Sequence, residues 1–400
     1  MKRVERMWLK PSDDLHQICH QAKNLYNEAM YNIRQKFFTT GRWVRYKDLA
    51  FTLKNSENYQ ALPTKTSQQI LLQVDKTWRG FFNATKAYKK HPEEFLSRPR
   101  PPRYKQKNGE YLVIFTNQQA RIKNGLLILP KETRSMLSVK VRPLPGRLME
   151  VRLIPKSFGY VLEIVYEINA NSVQRNQNTV AGIDLGLRNL ATIVDNTGKR
   201  PVVIKGGAVK SLIQFYHREQ SRLQSIYDLQ DIPQGRSLLR LRDRYDRKMH
   251  DYLHKTSRTI IKHLDKQKIG LLIIGYNKEW QQQVNLGRKT NQMFTGIPYA
   301  KFIKMLIYKA EEIGIEIRLQ DESHTSKCSF FDDELVEHHK IYVGKRKSGL
   351  FRTSKGHIVN ADVNGAFNIL KKAVPNAVQR WMADGIEDAV RHPVRLAVPI

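Results

Sequence analysis

Apolar residues recur at helical spacing close to the start of the chain. In LHQICHQAKNLYNEAMYNIRQKFF, residues Leu15, Ile18, Ala22, Leu25, Ala29, Ile33 and Phe37 fall three or four positions apart. That period predicts an amphipathic helix opened by Ser12. A second helix is predicted over 66–90, with Ile70, Val74, Trp78 and the pair Phe81/Phe82 on one face. Val4, Met7 and Leu9 give a short strand ahead of the first helix. From 111 to 168 the period shortens to two, with turn signals at Asn124-Gly125 and Pro145-Gly146. This predicts a small β region of about five strands, completed by the N-terminal one.

The texture changes again at Thr179. TVAGIDLGLRNLATIVDNTGKRPVVIKG reads as three strands joined by two turns, followed by basic helices at about 207–229 and 235–267. A short buried strand, Leu271 to Ile274, comes next. A helix near 298–314, the strand IEIRLQDE, an irregular stretch 323–359 and a last helix ADVNGAFNILKKA complete the pattern. Hairpin strands followed by alternating helix and strand predict an α/β layer on a mixed sheet.

The 400 residues suit two or three domains, and 40% hydrophobic content is enough for a sizeable core. Charge then narrows the partners. Lys and Arg number 69 against 37 Asp and Glu, a net charge of +32. A surface so positive repels itself unless a polyanion covers it, and each neutralised phosphate of a nucleic acid releases counterions. A membrane partner is disfavoured, because the basic residues are spread along the chain and no apolar run reaches spanning length. Cys19 and Cys328 form no disulfide framework, and MKRVERMWLKPSDD lacks a signal peptide's apolar core, so a soluble cytoplasmic protein is expected.

Two basic segments stand out. In LSRPRPPRYKQKNG the prolines exclude helix. Alone it reads equally as a solvated linker or as a strap along a nucleic-acid backbone, with Arg98, Arg100, Arg103 and Lys105 as contacts and Tyr104 stacking; the overall charge favours the strap. The helix over 235–267 carries Arg240, Arg244 and Arg247.

Two aspartates raise the question of chemistry. Asp184 sits within the strand AGIDLG, where an unpaired carboxylate is costly; it pairs with a base such as Arg188 or binds a metal. Asp362, taken alone, reads as the N-cap of the last helix. Together, on a basic chain, a strand Asp and a helix-start Asp match an RNase H-like nuclease. There, separated acids converge on two divalent ions that ready the attacking water and stabilise the leaving oxygen. Oxygen ligands around a hard ion favour Mg²⁺.

GIDLGLRNLATI, IIGYNKEWQQ with GRKTNQMF, ESHTSKCSFFDDE and GKRKSGLFRTSKGHIVNADVNGAFNIL together resemble the TnpB family of transposon-encoded, RNA-guided DNA endonucleases, relatives of the compact type V CRISPR effectors. LYNEAMYNIRQ and DGIEDAVRHP extend the resemblance over nearly the whole chain. It implies a multidomain α+β layout: a barrel-like wedge domain from 1–11 and 106–170, a helical recognition domain at 12–105, and a RuvC-like, RNase H-like nuclease domain from 179–322 and 360–375. An insert would occupy 323–359, and 376–400 would form a tail. It also implies a guide RNA from the transposon end, one protein monomer per RNA, a double-stranded DNA target marked by a short motif, and a prokaryotic, nucleoid-associated setting. Asp184 and Asp362 would be two metal ligands, and Lys345 or Arg352 would offset charge on the scissile phosphate.

The sequence departs from the family pattern twice. Relatives carry a zinc ribbon of paired cysteines in the insert. Here only Cys328 is present, with His324, His338, His339 and His357 scattered around it, so no zinc is expected. Packing of Phe330, Phe331, Tyr342 and Phe351 would hold the insert instead. Relatives also have Glu where this chain has Gly275. Glu322, two strands away at roughly 4.8 Å per strand, is the first choice for the missing acid, reaching across the space a glycine leaves. Glu279 is the second choice, and loss of the third acid altogether is the remaining alternative. That alternative leads to a non-cleaving RNA-guided repressor. A transposase that joins strands itself is the third reading.

Overall fold

The computed structural model describes residues 1–133, 137–168, 175–232, 235–277, 287–377 and 387–398. They form two compact units, Met1–Asn169 and Ala170–Ile400. Both mix helix and strand, and no helix among the described residues is long and apolar enough to cross a membrane.

The first unit begins with β1 (Lys2–Leu9) and α1 (Asp13–Thr40). Ser12 caps α1 by accepting from the Leu15 N–H, and Gly41 ends it with a left-handed φ of 67°. The predicted stripe is the buried one: Leu15, Ile18, Ala22, Leu25, Ala29 and Ile33 all lie inside, with Phe37 packed against them. Two short helices follow, α2 (Tyr46–Leu53) and α3 (Glu57–Gln60), then the long α4 (Thr64–Lys90), which buries Ile70, Val74 and Trp78. The strands are β2 (Val113–Thr116), β3 (Arg121–Lys123), β4 (Leu126–Ile128), β5 (Val139–Lys140), β6 (Arg147–Lys156) and β7 (Gly159–Glu167). β1 joins them along β7, giving the order β1-β7-β6-β2, while β3, β4 and β5 form a separate sheet. Asn124 and Gly125 turn the chain between β3 and β4 at φ 52° and 70°, the positive angles such a turn requires.

The proline-rich strap is laid along α1. Arg34 donates to the Pro102 carbonyl at 2.6 Å, Asn27 exchanges hydrogen bonds with the Lys105 backbone, and Lys23 reaches the Lys107 carbonyl at 2.5 Å. These bonds satisfy backbone groups that proline-rich extended chain leaves without regular partners.

The second unit is built on β8 (Val180–Asp184), β9 (Asn189–Asp195) and β10 (Val202–Lys205), then α5 (Gly207–Leu229), α6 (Arg236–Lys266), β11 (Leu271–Tyr276), α7 (Arg288–Thr295), α8 (Tyr299–Glu312) and β12 (Glu316–Asp321). The insert contributes β13 (Lys345–Lys347), β14 (Leu350–Arg352) and β15 (Ile358–Asn360), and the chain closes with α9 (Ala361–Ala373), α10 (Glu387–Arg391) and β16 (Val394–Arg395). The main sheet runs β12-β11-β8-β9-β10-β16. β11 is parallel to β8 and β12, whereas β8, β9 and β10 are antiparallel neighbours. Side chains alternate between two faces. Ala181, Ile183, Leu272 and Ile274 share a core with Leu253, Ile260 and Phe302 of α6 and α8. Val180, Leu271 and Ile273 pack with Ala366, Phe367 and Leu370 of α9. Gly182 lets α9 approach closely, since a Cβ there would stand 2.9 Å from the Ala366 carbonyl.

Phe330 and Phe351 are fully buried in the insert, Phe330 stacked on Phe367 at 4.7 Å. Tyr342 instead hydrogen-bonds His324. A polar clasp, unseen in the sequence, closes the same region. The Asp332 carboxylate accepts from the Ser329 hydroxyl (2.6 Å) and from the Ser354 N–H and hydroxyl (3.0 and 2.5 Å), tying two distant turns together.

Candidate active site

Period two along the sheet decides which acids meet. Gly182 faces α9, so Asp184, two residues on, does too. Ile273 faces α9, and so does Gly275. Gly275 is in register with Gln320, so Glu322, just beyond the end of β12, emerges on the same face. A Cβ on Gly275 would lie 3.1 Å from Glu322 Oε2 and 2.5 Å from Ile369 Cδ1 of α9. A Cβ on Gly365 would lie 3.1 Å from Asp184 Oδ2. The two glycines thus clear space for two carboxylates.

Asp362 arrives from the other side. It is not the N-cap of α9: the Asn360 side chain caps the helix, accepting from the N–H groups of Asp362 and Val363. The Asp362 carboxylate is thereby released toward the sheet. Its Oδ2 accepts from Asn189 at 2.8 Å, and its Oδ1 accepts from Arg346 at 2.9 Å. Arg188, the base considered for Asp184, donates to the Ser348 carbonyl at the tip of the β13–β14 hairpin.

The electrostatics report the convergence. Burial pushes the Asp184 carboxyl well above the usual carboxylate range, and the charges of Asp362 and Glu322 push it further, with Arg346 opposing them. Tyr299, buried beneath, has its phenol raised by burial and by the charges of Asp184 and Glu322. Asp184, Glu322 and Asp362 therefore sense one another, although they lie in three separate segments of the sequence. Glu279 lies outside the described residues.

Arg346 is the basic residue at these acids, in place of Lys345 or Arg352. The reason is strand alternation. Arg346 pairs in register with buried Phe351, which faces α9, while Lys345 pairs with Arg352 on the opposite, exposed face. Sequence reading had no way to choose between neighbours in so short a strand. Asn189 and Arg346 are the site residues it missed.

Two family models match this chain, one described as a probable transposase over residues 163–281 and one described as the Cas12f1-like TNB domain over 299–369. The TnpB-like protein ORF457 of Acidianus two-tailed virus is 26% identical over 396 residues, covering 90% of this chain and 83% of that one. The chain belongs to the TnpB family. A second TnpB-type relative, the putative RNA-guided DNA endonuclease InsQ of Escherichia coli (strain K12), is 21% identical over 392 residues, with 92% of each chain covered. The fold is that of a solved Cas12f1–sgRNA–target DNA complex, with a TM-score of 0.55, 13% identity, and coverage of 88% of this chain and 81% of that one.

The remaining residues singled out in this TnpB sequence lie on the surfaces of their own units. Arg98, Arg100, Arg103, Tyr104 and Lys105 are exposed on the strap, where Arg34 stacks over Tyr104 at 5.4 Å and Lys105 over Tyr26 and Tyr111. Arg240, Arg244 and Arg247 follow one another along a single exposed face of α6, Arg247 paired with Asp243. Among the described residues, no three His, Cys, Asp or Glu side chains stand ready to hold a metal ion. In the insert, His324 bonds Tyr342, His339 bonds the Leu335 carbonyl, and the Cys328 thiol is raised by burial.

Proposed function

We propose that this TnpB-family protein is an RNA-guided DNA endonuclease whose cleavage centre is formed by Asp184, Glu322 and Asp362. The observation that carries the reading is that Gly275 and Gly365 leave room for the carboxylates of Glu322 and Asp184 on the α9 face. The second unit would be the RNase H-like, RuvC-type nuclease domain, a reading supported by its three antiparallel strands flanked by parallel β11 and β12. The insert would occupy the zinc-ribbon position without zinc, its turns closed by Asp332.

The residues fit Mg²⁺ by their chemistry. The donors are oxygens, mutual repulsion of the acids calls for a cation, and buried oxygens beside them lack partners: Asn189 Oδ1, and Thr192 Oγ1 directly across from Asp184. Arg346 supplies part of the positive charge and must yield its place at Asp362 for an ion to be held there. When bound, two such ions supply an activated water and stabilisation of the leaving oxygen. The chain's own residues do the rest. Asn189 orients Asp362, Tyr299 seals the site from below, and Arg346 holds positive charge where a scissile phosphate would approach. The +32 charge supports a guide RNA and a DNA target as partners, with base pairing reading the target beyond a short adjacent motif.

The test is cleavage by the purified ribonucleoprotein. Asp184→Ala, Glu322→Ala and Asp362→Ala should each abolish Mg²⁺-dependent cutting while guided DNA binding persists. Full cutting by Glu322→Ala together with loss in Glu279→Ala would remove Glu322 from the site.

A further inference from the structure

The first unit holds a concave site that the cleavage reading does not use. Gly41, left-handed at the end of α1, turns the chain so that Trp43 and Arg45 come against α4. On α4, Arg79, Phe82, Asn83 and Lys86 follow at i, i+3, i+4 and i+7, one helical face. These residues enclose about 490 Å³, within the roughly 300–1,000 Å³ usual for a small-molecule site.

Its lining has a definite chemistry. Trp43 and Phe82 form an aromatic floor with ring centroids 5.2 Å apart. Arg45 and Arg79 lie 5.1 and 6.0 Å from the Trp43 ring, and Arg79 is anchored by buried Asp75 at 2.7 Å. Three cations converge there with no carboxylate in the lining, so the site attracts an anion. Flat aromatic and guanidinium surfaces beside an anion site suit a heterocyclic base joined to a phosphate. Asn83 adds an amide able to read a base edge or a ribose hydroxyl. The cavity admits one nucleotide and not a duplex. Unpaired bases splayed onto aromatic rings and guanidinium planes are the usual currency of RNA recognition, whereas duplex DNA keeps its bases stacked.

We infer that this cavity clasps a single unpaired nucleotide of the bound RNA, its base on Trp43 and Arg45 and its phosphate at Arg79 and Lys86. The inference rests on the reading that the protein carries an RNA.

The experiment uses the purified full-length chain with its copurifying RNA. Ultraviolet crosslinking, followed by peptide mass spectrometry and RNA sequencing, should join the Trp43 or Phe82 peptide to one position in the RNA. The variant Arg45→Glu/Lys86→Glu, altered only at exposed positions, should lose that crosslink at least tenfold. It should also lower the slope of log affinity for the RNA against log salt by about 1.4, two contacts at about 0.7 each. Bound RNA with silent pocket peptides, or crosslinks spread along the RNA, would overturn this inference alone. A crosslink appearing only to added target DNA would also overturn it. A chain that carries no RNA would overturn both this inference and the functional reading beneath it.

Discussion

Glu322 and Gly275 occupy one space: the Glu322 Oε2 atom lies 3.1 Å from where a Gly275 side chain would begin. The glycine is therefore a requirement of the acid two strands away. Gly275→Ala should abolish or sharply reduce cleavage while guided DNA binding remains. Its new methyl would also meet Ile369 at 2.5 Å. Adding Ile369→Val should recover thermal stability without recovering cleavage. Recovery of both would mean that Gly275 serves only the packing of α9.

Asp184 has a folded pKa above its unfolded one, so the fold favours its protonated form. That contribution to stability is present at low pH and is lost as pH rises through the folded value. In chelator, Asp184→Asn should therefore melt higher than the parent at neutral pH, with the difference closing in acid. A gain of about 1 kcal/mol would read as roughly 2–4 °C in a thermal scan.

Arg346 and its strand neighbours should separate by function. Arg346→Ala should slow cleavage on the order of 10²-fold, the usual cost of losing a placed electrostatic group, with DNA binding kept. Lys345→Ala and Arg352→Ala, on the other face, should weaken nucleic-acid binding and leave the cleavage rate of bound substrate near normal. Single-turnover kinetics at saturating protein distinguish the two.

The strap makes a prediction in salt. Changing Arg98, Arg100 and Arg103 together to Ala should reduce the slope of log affinity against log salt by about 2, at about 0.7 per contact on single strands. The strap's backbone bonds to α1 use none of these side chains, so circular dichroism should be unchanged.

Asp332 carries the opposite pH sign from Asp184. Burial raises its pKa, but hydrogen bonds from Ser329 and Ser354 and the charge of Lys355 outweigh that, leaving it below the usual range. Its stabilisation is present above the unfolded pKa and is lost as pH falls through the folded one. Asp332→Ala should cost about 1–3 kcal/mol locally. Faster hydrogen exchange at the Ser354 amide, with the main sheet unchanged, would register it.

The helices were legible because their apolar stripes are long and their caps are ordinary. Ser12 and Gly41 bound α1 as their residue types suggest. The central strands were legible because a parallel strand buried on both faces reads as an unbroken apolar run, as Leu271 to Ile274 does. What stayed hidden depended on choices between neighbours. Asn360 and Asp362 can both cap a helix, and only packing decides that Asn360 does so. Lys345 and Arg346 differ only in which face of a three-residue strand they occupy. The Asp332 clasp joins turns whose partners lie 22 residues apart, which no local pattern records. α2 and α3 were read only as part of a generally helical region, being too short to display a period.

The Arg346–Asp362 bond makes the hairpin and the acids a single coupled system. Whatever draws Asp362 away from Arg346 loosens the hairpin's hold, and whatever pulls the hairpin outward changes the charge that Asp362 feels. Such coupling is reciprocal by thermodynamic necessity. A strand of nucleic acid drawn onto Lys345 and Arg352 would thus act at a distance as an allosteric effector of cation affinity, and the cation as an effector of strand binding.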